Sequence, residues 1–280
     1  LLGVAVVATG IPHGAIDHLV AAPLYDLDFT WADQAWFYGA YLGLMGLYGA
    51  LWPVLPAWCL GVFLVMTMYH FGQADLAYWH LPRLPARLLY LSRGLFLIGL
   101  PVIAFPGIVD PIFAAIGGVQ VLDWGVATTY QTATLAGIVG QHALVLAGAA
   151  LSHGLPTWKT GREALNVAVL APLFLFVHPL AAFAVYFGLW HSLGHILELL
   201  RFFRERGQAM SIAGFYRKAA LFTVLSFVML AGLYAGMRAF GDRVEMIALL
   251  FILIAVMTLP HMLIVERLYQ EREQRRNGPA

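Results

Sequence analysis

Apolar residues in this chain come in long runs divided by short polar breaks, and the breaks mark the elements. From Gln34 to Ala74 there is no Asp, Glu, Lys or Arg, and only WPVLP at 52–56 interrupts the run. Two membrane-length helices joined by a proline turn fit that stretch. Trp124–Trp158 and Ala164–Leu197 are also free of charge, the second broken by HP at 178–179. Ala219–Met237 and Met246–Val265 each span about one bilayer at the helical rise. The pattern predicts nine helices, near 1–20, 36–52, 57–75, 87–107, 125–151, 163–177, 180–200, 219–237 and 246–266. Residues 108–123 read as a loop or a short interfacial piece. The expected fold is all-α, a polytopic integral membrane helical bundle with about eight to nine transmembrane helices. No internal repeat or second domain is visible, so residues 1–266 read as a single transmembrane domain and 267–280 as a polar, solvated tail.

Composition supports this and narrows the function. Of 280 residues, 61% are hydrophobic and 11% charged, whereas a soluble domain carries about a quarter charged residues. An ordinary soluble globule is excluded. The formal net charge of +1 offers no basic field for nucleic acid. Cys59 is the single cysteine, so neither an internal disulfide nor a thiolate metal site can form. Any metal must be held by His, Asp or Glu. The apolar start LLGVAVVATG reads as a first span rather than a signal peptide, because IPHGAIDH stands where small cleavage-site residues would be needed. Arg83, Arg87, Arg93, Lys159, Arg162, Arg201, Arg204, Arg206, Arg217, Lys218 and the C-terminal arginines flank the ends of odd-numbered helices; Arg238 and Arg243 fall on the other side. The positive-inside rule then puts the C-terminus in the cytoplasm of a multi-pass plasma-membrane protein.

On that topology the histidines are unevenly placed. His13, His18, His70, His153, His191, His195 and His261 all fall in the cytoplasmic half of odd-numbered helices, leaving out only His80, His142 and His178. A shared polar site near the inner leaflet explains one depth and one helix direction better than scattered core residues do. His191 and His195, in WHSLGH, are four residues apart and share a helical face, an arrangement that offers two nitrogens to one metal. Glu198 lies three residues further on, and Gly194 between the pair permits close approach of a backbone or a bulky ligand. The pair could equally line a water-filled cavity, and any lone His could simply bond a neighbouring helix. In IPHGAIDH, Pro12 and Gly14 loosen the helix so that His13 can be aimed independently, and Asp17 could accept the ring N–H of a metal-bound His. Asp17 and His18 could also just pair with each other. His70 has Gly72, Gln73 and Asp75 after it, His261 follows Pro260, and SHGLP at 152–156 reads as a helix end. An all-imidazole site suits Fe(II), Cu or Zn and leaves coordination positions open. With 18 Phe, 12 Tyr and 8 Trp, any cavity the histidines face is lined in part by aromatic rings, which fits an apolar substrate drawn from the bilayer.

PHGAIDH, YHFGQADL, WHSLGHILE and PHMLIVER resemble the signature stretches of the membrane-bound Brp/Blh family of β-carotene 15,15′-dioxygenases. The four run in order from residue 12 to residue 267 and so cover nearly the whole chain. The resemblance implies a catalytic domain over 1–266 that uses Fe(2+) and O2 to cleave β-carotene at its central double bond. Two molecules of all-trans-retinal would result, passed to the membrane or to a rhodopsin apoprotein. It implies His13, His70, His191 and His195 as catalytic iron ligands. Asp17, Gln73 and Glu198 are then candidate outer partners, and His18 and His261 further possible ligands. Two other readings compete. A di-iron lipid desaturase or hydroxylase needs roughly eight His or carboxylate ligands, but the chain has one HxxxH and no HH pair. A His-lined transporter or proton channel predicts repeat symmetry between the halves, which is absent.

Overall fold

The computed structural model describes residues 1–28, 30–239 and 245–277. Among these every regular element is helical. The long helices are α1 (Leu2–Leu24), α2 (Trp31–Leu51), α3 (Pro56–Leu76), α4 (Arg83–Ala104), α6 (Gln131–Ser152), α7 (Thr157–Phe176), α8 (Pro179–Glu205), α9 (Ile212–Ala239) and α10 (Met246–Asn277), with the shorter α5 (Pro106–Gly117) between α4 and α6. The nine long helices fall where the apolar runs predict them. The segment expected as a loop or interfacial piece is α5, which opens on Pro106 and stops at Gly118 in the left-handed region (φ 65°). At about 18 Å it is too short to span a bilayer.

Six of the described helices, α1, α4, α6, α8, α9 and α10, are long and apolar enough to cross a membrane, fewer than the eight or nine expected. Absence of charge and mean apolarity select different helices here. Trp, Tyr and Gly dilute α2 and α3 without adding charge, and α7 opens with Lys159, Arg162 and Glu163. Arg243 and residues 278–280 of the tail lie outside the described residues. α10 continues unbroken through Asn277. Arg206 pairs with Glu271 at 2.6 Å, and Arg272 pairs with Glu198, which ties that extension down.

The chain divides into two compact units, Leu1–Cys59 with Ala184–Ala280, and Leu60–Phe183. In the first, α2 starts at a capping box: the Thr30 hydroxyl accepts from the Asp33 N–H, and the Asp33 carboxylate accepts from the Thr30 N–H. The core joins Ile16, Val20 and Leu24 of α1 to Leu199, Phe202 and Phe203 of α8, Phe215 of α9 and Leu268 of α10.

In the second unit, α3 and α4 cross at two glycines. A Cβ on Gly72 would collide with the Tyr90 carbonyl, and one on Gly94 with the Met68 carbonyl. Small residues at the crossing allow this backbone-on-backbone approach. Gly94→Ala is therefore expected to cost at least about 1–3 kcal/mol, the usual penalty of overpacking, and to lower the thermal midpoint in detergent. Gly61→Ala on α3, with nothing within 4 Å of its added carbon, is the control; equal midpoints for the two variants would contradict the crossing. Beside it lies a buried polar network. Arg93 on α4, fully buried, places Nε 3.0 Å from Asp75 of α3 and Nη1 2.7 Å from Glu163 of α7. Glu163 also accepts from Asn166 at 2.9 Å, and His142 of α6 stands 3.8 Å from it. Arg93 is thus an interior residue, a correction to its reading as a cytoplasmic flank. Its position near a helix end gave it a marker's appearance, while its partners lie on other helices. Lys159, read the same way, donates to the carbonyls of Tyr78 and Trp79 in the short turn that follows α3.

Candidate metal centre

α1 is irregular where it matters. Val6–Gly10 forms a wide π turn before Pro12. Pro12 has no N–H to give the Ala8 carbonyl one turn back. The Tyr216 hydroxyl of α9 donates to that carbonyl instead, at 2.9 Å. α8 has its own π turn at Tyr186–Ser192, which carries His191. Such turns widen a helix by a residue and recur at functional sites. The two irregular segments pack together through small residues. The Thr9 hydroxyl donates to the Gly188 carbonyl at 2.9 Å. A Cβ on Gly188 would sit 2.8 Å from that of Ala5, and one on Gly10 2.6 Å from the Phe187 ring. Gly194, expected to permit such an approach, is exposed with nothing within 4 Å of an added Cβ. The close approach belongs instead to Gly188, six residues earlier and within the π turn.

This packing brings four histidines together within the first unit. The ring centroid of His13 lies 5.4 Å from that of His191, 5.6 Å from His195 and 4.9 Å from His261, each pair nearly perpendicular. His195 and His261 are 5.5 Å apart. All four side chains are buried, at 2–7% exposure. Gly14 makes room for the last of them, since a Cβ there would press on His261 Nδ1 at 3.3 Å. Phe187 closes one side, stacked on His191 and edge-on to His13.

Hydrogen bonds set the tautomers of two rings. His13 Nδ1 meets the Gly10 carbonyl, which can only accept, so Nδ1 carries the proton and Nε2 the lone pair. His261 Nδ1 lies 2.9 and 3.0 Å from the two oxygens of Asp17 and donates to them, again leaving Nε2 as the lone-pair nitrogen. Asp17 also accepts from the Tyr41 hydroxyl at 2.9 Å. A carboxylate orienting an imidazole from behind is the usual outer support of a metal-bound His. His195 has a comparable neighbour in Glu198, 3.8 Å away, which Tyr269 and Arg272 hold from α10.

Of the residues singled out from the sequence, His13, His191, His195 and His261 converge. Asp17 supports His261 rather than His13, and Glu198 stands beside His195. His18 turns to Tyr38 and Phe222. His70 and Gln73 are buried on α3. Tyr41, Tyr269 and Arg272 were missed. Tyr41 is one of 12 tyrosines in a charge-free run, and nothing local distinguishes it.

Four imidazoles buried together in apolar surroundings are costly unless their polar atoms find partners. Two of the four present lone pairs while their N–H groups bond elsewhere, and the set contains no thiolate. That donor chemistry fits a divalent transition metal of the Fe, Cu or Zn kind. Beside it, within the same unit, lies a cavity of about 220 Å³. Gly14, Asp17 and Tyr41 stand on its wall, with Phe37, Tyr38 and Phe222 around it.

A family model described as beta-carotene 15,15′-dioxygenase matches residues 4–269. A probable beta-carotene 15,15′-dioxygenase Blh of Halobacterium salinarum is 29% identical, covering 92% of this chain and 81% of that protein. A beta-carotene 15,15′-dioxygenase of an uncultured marine bacterium is 22% identical, covering 96% and 94%. No solved structure matches.

Proposed function

Since the chain belongs to the β-carotene 15,15′-dioxygenase family, we propose that it cleaves β-carotene with O2 at the central double bond, giving two molecules of all-trans-retinal. The observation that carries this reading is the convergence of His13, His191, His195 and His261 beside an aromatic, largely apolar cavity. These residues hold Fe(2+), and His70 joins them on the strength of its motif. Iron, when bound, supplies the redox chemistry that lets O2 react with a closed-shell alkene.

The chain's own residues do the rest. Gly10 and Asp17 fix two ring tautomers, so the ligands are oriented before the substrate arrives. Phe187 and Tyr186 flank His191 and keep water from the site. The cavity supplies the apolar surface a polyene needs, since each CH₂ kept out of water contributes about 0.8 kcal/mol. Leu42, Leu225 and Met229 on its wall are exposed on the outside of the bundle. In a membrane protein that exposure faces lipid, so carotene enters and retinal leaves laterally, toward the membrane or a rhodopsin apoprotein. Assigning residues 1–266 to one catalytic domain, 267–280 to a cytoplasmic tail and the protein to the plasma membrane belongs to the same proposal.

Expression in β-carotene-accumulating cells tests it. Loss of orange colour with retinal in the extract is expected; unchanged colour with the protein present in the membrane would refute the substrate. Asp17→Asn should slow cleavage or weaken iron binding by about 10–100-fold, as loss of an outer partner does. Complete loss with iron absent would make Asp17 a ligand instead.

A further inference from the structure

The geometry points to Tyr41 as a positioning residue for the metal centre, acting through Asp17 on His261. This deepens the proposed function and rests on it. Tyr41 stands on the cavity wall, and its hydroxyl donates to Asp17 Oδ2 at 2.9 Å. That oxygen and its twin Oδ1 lie 3.0 and 2.9 Å from His261 Nδ1. The His261 ring is in turn 4.9 Å from that of His13. One hydroxyl, one carboxylate and one imidazole therefore run in line from the cavity wall to the histidine cluster, joining α2, α1 and α10.

Each link has a physical reason. A buried carboxylate beside a single imidazole can rotate and present one oxygen or the other. The phenol restricts that freedom by holding one oxygen, so the carboxylate stays on Nδ1. A bond from a neutral donor to a carboxylate is among the stronger kinds, and it draws off part of the charge that Asp17 would otherwise place on the imidazole. Tyr41 thereby sets both the direction and the donor strength of His261. The plainer reading, that Asp17 merely satisfies a phenol in an apolar helix, explains the Tyr41 bond. It does not explain why both carboxylate oxygens are also spent on His261.

Tyr41 need not act as an acid. Splitting one C=C bond with O2 into two aldehydes places one oxygen atom on each carbon, and the overall reaction neither consumes nor releases a proton.

The test uses the full chain purified in detergent and loaded with Fe(II). Tyr41→Phe keeps the ring that packs 5.7 Å from Phe37 and deletes the hydroxyl alone, so the bundle should fold. Three quantities are compared in wild type, Tyr41→Phe, Asp17→Asn and the double variant: iron retained during a timed chelator challenge, the electron paramagnetic resonance spectrum of the nitric oxide adduct, and the rate of retinal formation. Tyr41→Phe should lose iron several-fold faster and shift the spectrum, staying within the about 10–100-fold set by losing an outer partner altogether. The double variant should match Asp17→Asn alone, because both changes cut the same line. Wild-type iron retention and spectrum in Tyr41→Phe would overturn the inference and leave the proposed function standing. So would losses that multiply in the double variant. A wild-type protein that holds no iron and forms no retinal would overturn both.

Discussion

Replacing His191 or His195 with alanine is expected to abolish retinal formation and strip most of the iron, while the bundle stays folded. Both rings stand within 5.6 Å of His13, centroid to centroid, and both are buried at 2–3% exposure. Loss of an outer partner typically costs about 10–100-fold, so loss of a ligand should exceed about 100-fold. Folding should survive because α1 and α8 also meet through Ala5, Thr9, Gly10 and Gly188 and through the apolar core of Ile16, Val20, Leu199 and Phe202. Removing His191 or His195 also relieves the crowding of buried polar rings. Iron content and retinal yield per folded protein measure this, and wild-type values in both variants would remove the histidine cluster from the chemistry.

The second large effect lies away from the metal. Arg93→Ala should destabilise the protein by roughly 3–5 kcal/mol, the usual result of removing one partner of a buried ion pair. Arg93 is fully buried between Asp75 and Glu163, whose side chains are 5% and 1% exposed. Without it two carboxylates remain in the interior with their neutralising charge gone. The Arg93 guanidinium also lies 5.3 Å from the Phe96 ring centroid, so packing is lost with the charge. Melting in detergent reads the effect against Arg217→Ala, which removes an exposed arginine. Equal midpoints would show that the network contributes no stability.

These two sites differ in how far the sequence disclosed them. The apolar runs located the nine long helices, because a membrane-length apolar segment is a local property of the chain. The four motifs pointed to His13, His70, His191 and His195 as ligands and to His261 as a further one, since each polar side chain stands out against an apolar background. Partnership was not legible. Asp17 four residues after His13 suggested a local pair, yet its carboxylate reaches His261, 244 positions away. Tyr41 gave no signal because its role depends on where α1 and α2 meet. Arg93 read as a membrane-flanking charge for the same reason: burial is set by tertiary packing. The π turns at Val6–Gly10 and Tyr186–Ser192 also escaped, since one extra residue in a turn leaves no compositional trace. Gly188, which meets α1, lies within the second of them.

The most direct test of the account is the product balance of the purified, iron-loaded protein with β-carotene under air. Two molecules of retinal per β-carotene consumed, with no longer or shorter apocarotenal, is the predicted result. Unequal fragments, or carotene loss that persists after iron is removed, would contradict it.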